Sequence, residues 1–283
     1  MKLYKKILSD ALKILGYNVM RIEYNFLIIK KNIDKFERNK YLYNYMLKQH
    51  LIDLLKKCKV NCILDVGANR GQYALELRKL GYKENIISFE PVKESFDELK
   101  KCSRFDSKWT VYPFALGEKN FTTQIHVTDE TQFSSLFKPN LKSKELFGNI
   151  SKVKRKQEVE VRRLDFVLSK IVDNMKNPYF FLKIDTQGYD LQVFSGLGEY
   201  VEKVVGLQSE VSVIPIYEGG ALMSEALSFY ESHGFRITGL FPVSIDRSTF
   251  RVIEFDCTMV NYSFSQQKNF ITGPVSITQK KWF

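Results

Sequence analysis

The fold is decided by the stretch ILDVGANRG at residues 63–71, in which an apolar segment runs into a turn with two glycines. The amphipathic segment 72–80 follows directly and is typical of a helix. A second apolar segment at 86–89 then ends in Glu90 and Pro91. A strand, a glycine turn, a helix and a second strand with an acid at its end are the parts of a nucleotide-binding βαβ unit.

The residues of this turn suit a bound ligand. Gly67 and Gly71 carry no Cβ, so the chain can turn sharply and a ligand can approach the backbone. The helix N-terminus behind the turn offers free N–H groups and a partial positive charge. Glu90 follows Asp65 by 25 residues, at a position where a carboxylate can accept hydrogen bonds from both hydroxyls of a ribose.

The spacing of the turn argues against two common nucleotide sites. A dinucleotide fold requires G-x-G-x-x-G, but Asn69 stands at the middle position and no glycine lies one turn into the helix. A P-loop requires Gly-Lys followed by Ser or Thr, which this turn lacks. Asp65 would repel a pyrophosphate but suits a cationic ligand such as S-adenosylmethionine, which carries an ammonium group and a sulfonium. A purely structural turn, or a site for another nucleotide, is the alternative.

Length and composition fit one α/β domain with an extension. The chain has 283 residues, of which 44% are hydrophobic, and no apolar run reaches the roughly 18 residues that cross a bilayer. Residues 1–15 lack the apolar core of a signal peptide. The four cysteines show no C-x-x-C spacing, which predicts a reduced, cytoplasmic protein. We expect a basic helical extension at 1–60, a ligand-binding domain at 61–262 and a tail at 263–283.

Positive charge is concentrated in the extension. Residues 1–60 hold 14 Lys/Arg and 5 Asp/Glu, whereas the whole chain carries a net charge of +11. Leu3, Ile7, Ala11 and Leu15 share one helical face, which suits an anionic membrane at the inner face of the cell, a membrane enzyme, or packing on the domain. The rest of the chain is nearly neutral, so nucleic-acid binding is not expected. A second helix is predicted from Lys40 to Lys57, with these residues facing inward: Tyr41, Tyr45, Ile52 and Leu55.

A second informative stretch is YFFLKIDTQGYD at residues 179–190, where an apolar strand ends in an acid before another glycine turn. The next strand, 204–207, ends near a further acid. In an open parallel sheet, ligands bind outside the carboxyl ends of the strands. Four acids are predicted to meet at this edge: Asp65, Glu90, Asp185 and Glu210.

Five ordered motifs resemble the FkbM family of S-adenosylmethionine-dependent methyltransferases, over about residues 60–260. They are DVGANRG at 65–71, SFEP at 88–91, ALG at 115–117, RLD at 163–165 and LKIDTQGY at 182–189. The resemblance implies a Rossmann-like α/β fold with a seven-stranded, mostly parallel methyltransferase sheet whose last strand is antiparallel. It also implies O-methylation, typically of a hydroxyl on a sugar, a glycan or a related metabolite. Many members carry Glu where this chain has Gln187, which puts a base role at that position in doubt.

The resemblance also assigns the cofactor site. The glycine turn would hold the methionine part of S-adenosylmethionine, with Asp65 acting on its amine directly or through water. Glu90 would bind the ribose, and the residues around it would enclose the adenine. The implied cofactor-binding residues are Asp65, Gly67, Asn69, Gly71, Glu90, Pro91, Ala115 and Leu116.

Methyl transfer mainly requires positioning, because the sulfonium already carries a good leaving group. A sugar hydroxyl is a poor nucleophile that benefits from a base or a metal. Asp185 is the predicted base, and Glu210, one strand over, is able to share the role. The paired carboxylates are alternatively able to hold Mg²⁺ with waters. The acceptor pocket is expected to involve the polar stretch 128–156, through Gln132, Ser134 and Ser135, and the residues Tyr217, Glu218 and Gly219.

A hypothesis from another class is a non-catalytic nucleotide-binding or assembly module on a methyltransferase-like scaffold. The presence of Asp65, Gly67 and Glu90 favours the enzyme, since a scaffold has no need of them. The missing third glycine disfavours a nicotinamide oxidoreductase. The identity of the acceptor and the oligomeric state do not follow from the sequence.

Overall fold

The computed structural model describes residues 17–22, 25–30, 33–172 and 177–267, together with residues 12 and 175. The described strands are β1 (Tyr17–Ile22), β2 (Asn25–Lys30), β3 (Cys62–Val66), β4 (Asn85–Phe89), β5 (Trp109–Tyr112), β6 (Ala115–Gly117), β7 (Phe121–Thr128), β8 (Val153–Arg163), β9 (Phe180–Ile184), β10 (Val204–Ser212), β11 (Phe235–Ile245) and β12 (Val252–Asn261). The described α-helices are α1 (Lys35–Lys57), α2 (Gln72–Lys79), α3 (Lys93–Ser103), α4 (Leu141–Phe147), α5 (Leu164–Val172), α6 (Asp190–Ser195), α7 (Met223–Ser232) and α8 (Tyr262–Gln267). Short 3₁₀ helices occupy Thr131–Phe133, Gly148–Ser151 and Gly198–Lys203.

A seven-stranded sheet forms the centre of the fold, in the order β11-β12-β10-β9-β3-β4-β5. The strands from β10 to β5 run parallel, and β12 lies antiparallel between β10 and β11. This topology confirms the predicted Rossmann-like sheet with an antiparallel last strand. The strand order reverses between β3 and β9, and the crevice at such a reversal is where open α/β sheets bind ligands. The turn at Gly67 and the turn at Asp185 therefore meet at this crevice.

The two central strands carry apolar residues on both faces because both faces of the sheet are covered. Every residue of β3 and β9 is buried. Successive side chains point to opposite faces, so Leu64 and Leu182 join one core cluster while Ile63 and Phe181 join the other. This alternation fixes the register of the two strands and thereby the positions of the turns that follow them.

A smaller three-stranded sheet, in the order β6-β8-β7, accompanies the large one. β8 is an eleven-residue strand, because it pairs antiparallel along the whole of β7. Residues 129–152, between these two strands, contain α4 and two of the 3₁₀ helices. The polar stretch at 128–156 therefore contains regular structure, and we call residues 129–152 the insert.

The predicted second helix is confirmed, and Leu55, one of its four predicted inward-facing residues, is buried. α1 begins at Lys35, because the Asp34 carboxylate accepts hydrogen bonds from the backbone N–H groups of Phe36 and Glu37. The prediction that Tyr41 faces inward is wrong, since its side chain is 51% exposed. The buried face is a stripe of leucines that includes Leu55 and is centred roughly a quarter-turn from the predicted face. Its residues are Leu47, Leu51, Leu54 and Leu55.

The extension is not wholly helical. β1 and β2 pair as an antiparallel hairpin within the segment that was predicted to be helical. The stretch 17–30 is rich in β-branched and aromatic residues, which favour strands. The predicted amphipathic face at Leu3, Ile7, Ala11 and Leu15 lies outside the described residues. In the described part of the chain, no helix is long and apolar enough to cross a membrane.

Candidate active site at the strand-order reversal

A cavity of about 790 Å³ opens at the carboxyl edge of the large sheet. Its walls come from the turn after β3, the ends of β4 and β9, strands β6, β10 and β12, helix α1 and the insert. This volume lies in the range of small-molecule and cofactor sites. Six of the eight predicted cofactor-binding residues line the cavity, and they are Gly67, Asn69, Glu90, Pro91, Ala115 and Leu116.

Glu90 is fixed at one end of the cavity by two backbone hydrogen bonds. The N–H of Asn69 donates to Oε2 at 2.8 Å, and the N–H of Val92 donates to Oε1 at 2.7 Å. Burial raises the pKa of Glu90 to about 7, against the lowering effect of these two donors. Because each carboxylate oxygen can accept a second hydrogen bond, the group can still receive two hydroxyls from the cavity.

Gly67 is required by the packing of the two turns. Its φ is +76°, and a Cβ at this position would lie 2.0 Å from the carbonyl oxygen of Asp185. Gly71 has a φ of +86° and packs against Trp109 and Leu99, where a Cβ would lie within about 3 Å of both side chains. Gly71 is thus placed by packing at the start of α2 rather than in the cavity wall.

Asp65 is wholly buried and does not line the cavity. Its Oδ2 accepts a hydrogen bond from Ser88 Oγ at 2.9 Å, and Ser88 Oγ in turn accepts one from Trp109 Nε1 at 2.9 Å. Lys183 Nζ lies 3.3 Å from Oδ1. The predicted direct contact between Asp65 and a ligand amine is therefore not available, because the side chain has no surface in the cavity.

Lys183 is a cavity residue that the sequence reasoning missed. Its ammonium donates to the carbonyl oxygen of Gly67 at 3.1 Å and lies 3.5 Å from Asp185 Oδ2. The available signal was a lysine inside the otherwise apolar strand β9. A lysine at such a buried position requires acidic partners, and Asp65 and Asp185 supply them.

Asp185 and Glu210 are brought together by Gln187. The Nε2 amide of Gln187 donates to Asp185 Oδ1 at 2.9 Å and to Glu210 Oε2 at 2.8 Å. The Oε1 of Gln187 accepts a hydrogen bond from the Tyr217 hydroxyl at 2.7 Å. The side chain of Asp185 is 41% exposed and lines the cavity, so it can reach a ligand.

Two further acids, Glu254 and Asp256, line the same part of the cavity. They come from β12, whose antiparallel pairing sets Asp256 directly opposite Glu210. Burial, together with the neighbouring carboxylates, raises the pKa of Glu210 and of Glu254. Burial also raises the pKa of Asp256 to about 6, against the lowering effect of the amide of Gln208, which donates to Oδ1 at 2.8 Å. The sequence signal was two acids at alternate positions of one strand, which share a face.

These residues give no support to a magnesium site. Within the described ranges, no group of three or more Asp, Glu, His or Cys side chains has the arrangement of a metal site. Lys183 contacts Asp65 and Asp185, and Gln187 links Asp185 to Glu210. The Asp185 carboxylate is therefore already paired with the Lys183 ammonium, and Asp185 and Glu210 share the Gln187 amide, at the place where Mg²⁺ was the alternative.

The insert covers the cavity and touches both turns. Thr131 Oγ1 donates to Asn69 Oδ1 at 3.2 Å, and Ser135 Oγ donates to the carbonyl oxygen of Gln187 at 2.7 Å. The Tyr217 hydroxyl also lies 3.0 Å from the carbonyl oxygen of Phe133. The predicted pocket residues Gln132, Ser134 and Ser135 line the cavity, whereas Tyr217, Glu218 and Gly219 do not.

The sheet order, with a glycine turn at its reversal and an acid after the second strand, defines the class of Rossmann-like methyltransferases. Residues 65–237 match the methyltransferase FkbM domain, and the chain belongs to this family. The family assignment made from the five motifs is thereby confirmed.

Known proteins resemble the chain at low identity. The methyltransferase sdnD of Sordaria araneosa is 24% identical over 229 residues, which cover 73% of this chain and 85% of that protein. The crystal structure of methyltransferase FkbM from Methylobacillus flagellatus KT is 18% identical with a TM-score of 0.45, and the match covers 71% of this chain and 43% of that one. The chain thus spans less than half the length of that protein. Magnesium protoporphyrin IX methyltransferase from Synechocystis PCC 6803, solved with bound SAM, is 7% identical with a TM-score of 0.42, covering 81% and 85% of the two chains.

Proposed function

We propose that the protein is an S-adenosylmethionine-dependent O-methyltransferase that acts on a hydroxyl of a sugar, a glycan or a related metabolite. The observation that carries the proposal is the carboxylate of Glu90. Two backbone N–H groups hold it at the wall of a cavity, and each of its oxygens can accept one more hydrogen bond. A ribose supplies two neighbouring hydroxyls, which is the pattern that this carboxylate can receive.

The cavity residues fit the cofactor in three parts. Glu90 would bind the ribose, and the backbone at Gly67 and Asn69 would hold the methionine part. The adenine would lie among the apolar surfaces of Pro91, Ala115 and Leu116, which line the same cavity. When bound, S-adenosylmethionine supplies a methyl group on a sulfonium, whose departure as a neutral thioether needs no help from the protein.

The chemistry that this chain must supply is the handling of the acceptor proton. Asp185 reaches the cavity, and its carboxylate can take the proton from an acceptor hydroxyl as the oxygen attacks the methyl group. Gln187 holds the carboxylate in place and ties it to Glu210, which can share the proton. Asp185 is therefore the proposed base, with Glu210 in support.

The acceptor class follows from the groups around this base. Glu210, Glu254 and Asp256 all line this part of the cavity, and Ser244 and Gln208 line it as well. A wall of hydrogen-bond acceptors favours a ligand that carries many donors, and a polyol such as a sugar is such a ligand.

The extension and the tail also belong to the proposal. We assign residues 61–262 to the catalytic domain and 263–283 to a tail, with residues 1–60 as an extension that carries a net charge of +9. That charge suits contact with an anionic membrane or a membrane enzyme at the cytoplasmic face. Lys40, Asn44 and Lys48 of α1 line the cavity, so the extension also contributes to the active site.

The first test is calorimetric titration with S-adenosylmethionine and S-adenosylhomocysteine, with NAD as the control ligand. We expect micromolar binding of both sulfur compounds, no binding of NAD, and no change when Mg²⁺ or a chelator is added. A labelled methyl group is then offered to sugars and glycans. Binding without transfer to any hydroxyl compound would favour the scaffold hypothesis, and the absence of binding would contradict the proposed cofactor.

A further inference from the structure

The methionine part of the proposed site must hold an ammonium and a carboxylate side by side, because S-adenosylmethionine ends in an α-amino acid. Neither group has an assigned partner so far. Asp65, the expected partner of the ammonium, has no surface in the cavity. Lys183 contacts the glycine turn, but its three donors already face three oxygens, on Gly67, Asp65 and Asp185.

An ion pair between α1 and α2 offers both of the missing charges. Lys48 Nζ lies 2.9 Å from Glu76 Oε1, and both residues line the cavity. Their side chains are 37% and 35% exposed, so part of the surface of each is open to a ligand. Of the lysines that line the cavity in the described ranges, Lys48 is the one that pairs with an acid of α2.

The place of this ion pair follows from the glycine turn. α2 begins at Gln72, directly after the turn, and Glu76 lies about one helical turn further on. A helical side chain leans toward the N-terminus of its helix, so the Glu76 carboxylate covers the first turn of α2. Glu90, the proposed ribose residue, accepts a hydrogen bond from Asn69 in the same glycine turn. A ligand that is bound at Glu90 and extends along the turn toward α2 therefore meets the ion pair.

The ion pair is suited to an α-amino acid. The contact with Glu76 occupies one of the three donors of the Lys48 ammonium, and the Glu76 carboxylate keeps acceptor sites of its own. A ligand carboxylate at Lys48 and a ligand ammonium at Glu76 would complete a ring of alternating charges. Partly exposed ion pairs contribute little to the stability of a fold, whereas charges in a cavity from which the ligand displaces water interact more strongly.

We propose that Lys48 and Glu76 bind the amino-acid end of S-adenosylmethionine, with the Lys48 ammonium on its carboxylate and the Glu76 carboxylate on its ammonium. The inference rests on the proposed function for the identity of the cofactor. It adds that α1, which precedes the family match at residues 65–237, supplies a cofactor-binding residue.

The test is a calorimetric comparison of three ligands that differ only at this end. They are S-adenosylhomocysteine, its analogue that lacks the α-carboxylate and its analogue that lacks the α-amine. We expect the wild-type protein to bind each analogue about tenfold or more weakly than S-adenosylhomocysteine, because each analogue loses a charge-assisted hydrogen bond.

Two variants assign each preference to one side chain. Lys48→Met should bind S-adenosylhomocysteine and the analogue without the carboxylate with about equal affinity. Glu76→Gln should in the same way lose the preference for the amine. Lys108→Met and Glu84→Gln are the matched controls, because Lys108 Nζ lies 3.2 Å from Glu84 Oε2 in an ion pair that does not line the cavity. Both controls should keep the two wild-type preferences.

A purely structural role of the ion pair would weaken the binding of all three ligands by the same factor. Such equal losses, or unaltered preferences in Lys48→Met and Glu76→Gln, would overturn the inference and leave the proposed function in place. If the wild-type protein binds none of the three ligands, the proposed function fails and the inference fails with it.

Discussion

Gly67 packs directly against the carbonyl oxygen of Asp185, and it can do so because it has no side chain. The two residues follow β3 and β9, which are adjacent and parallel. The proposed cofactor turn and the proposed base are therefore packed directly on each other, so their geometries are not independent.

Gly67→Ala should destabilise the protein and weaken cofactor binding, because its Cβ would lie 2.0 Å from the Asp185 oxygen. We expect a loss of about 1–3 kcal/mol in the free energy of unfolding from overpacking, in addition to the cost of the positive φ. Gly81→Ala is the matched control, since Gly81 has a φ of +91° and nothing within 4 Å of its Cβ position. Denaturant unfolding and calorimetry compare the two variants. Equal losses of stability and of affinity in both would show that the contact between Gly67 and Asp185 is not their cause.

Glu90→Ala should weaken the binding of S-adenosylhomocysteine by about tenfold or more, because two hydrogen bonds to the ribose are lost. Glu94→Ala is the control for loss of a nearby acid, since Glu94 is exposed on α3. An unaltered dissociation constant in Glu90→Ala would refute the ribose assignment.

The affinity for S-adenosylhomocysteine should depend on pH through Glu90. Burial raises the pKa of this carboxyl from 4.5 to about 7, so it is largely protonated below pH 7 in the free protein. The ionised form accepts from both ribose hydroxyls, so affinity should rise as pH increases from about 6 to 8. Titrations of Glu90→Ala over the same range remove the contribution of the ligand's own groups. The same slope in both proteins would contradict the prediction.

Asp185→Asn should lower the rate of methyl transfer by about two orders of magnitude or more, because the amide cannot accept the acceptor proton. Binding of S-adenosylmethionine should change little. Single-turnover kinetics with an acceptor found by screening measure the transfer step, with Asp97→Asn on the exposed face of α3 as the control. Full activity of Asp185→Asn would exclude this carboxylate as the base.

Ser88→Ala should lower the free energy of unfolding by about 1–3 kcal/mol. The buried hydroxyl joins Trp109 Nε1 to Asp65 Oδ2, so its removal leaves both groups short of a partner. Ser107→Ala, at an exposed serine, should change stability by less than about 0.5 kcal/mol. Equal stabilities of the two variants in urea would show that this chain of hydrogen bonds contributes nothing.

The half of the cavity that is proposed to hold the cofactor could be predicted from the sequence because its signals are local. The glycines, the strand before them and the acid after the next strand lie within 28 residues, from 63 to 90. Parallel βαβ units allow little choice of topology, so the sequence already predicts that Gly67 and Glu90 lie close together. The sequence leaves the direction of the Asp65 side chain open, because a strand-end acid can lie in the core as well as in the crevice, and the structure buries it.

The half of the cavity that is proposed to hold the acceptor depends on contacts between residues that are distant in sequence. Glu254 and Asp256 reach the cavity only because β12 inserts antiparallel beside β10 in one register, and the spacing of these residues from Glu210 does not specify it. The insert has no periodicity of its own that predicts its place, since its position is fixed by hydrogen bonds from Thr131 and Ser135 to the two turns. Strand pairings and hydrogen bonds between segments this far apart in sequence cannot be predicted before the fold is known.

Two walls of the cavity come from segments that flank the family match at 65–237. They are α1 on the N-terminal side and β12 on the C-terminal side. Mutations in these flanks alter the shape and charge of the cavity without changing the glycine turn, Glu90 or Asp185. The shape of the proposed acceptor pocket therefore depends in part on residues outside the span that defines the family.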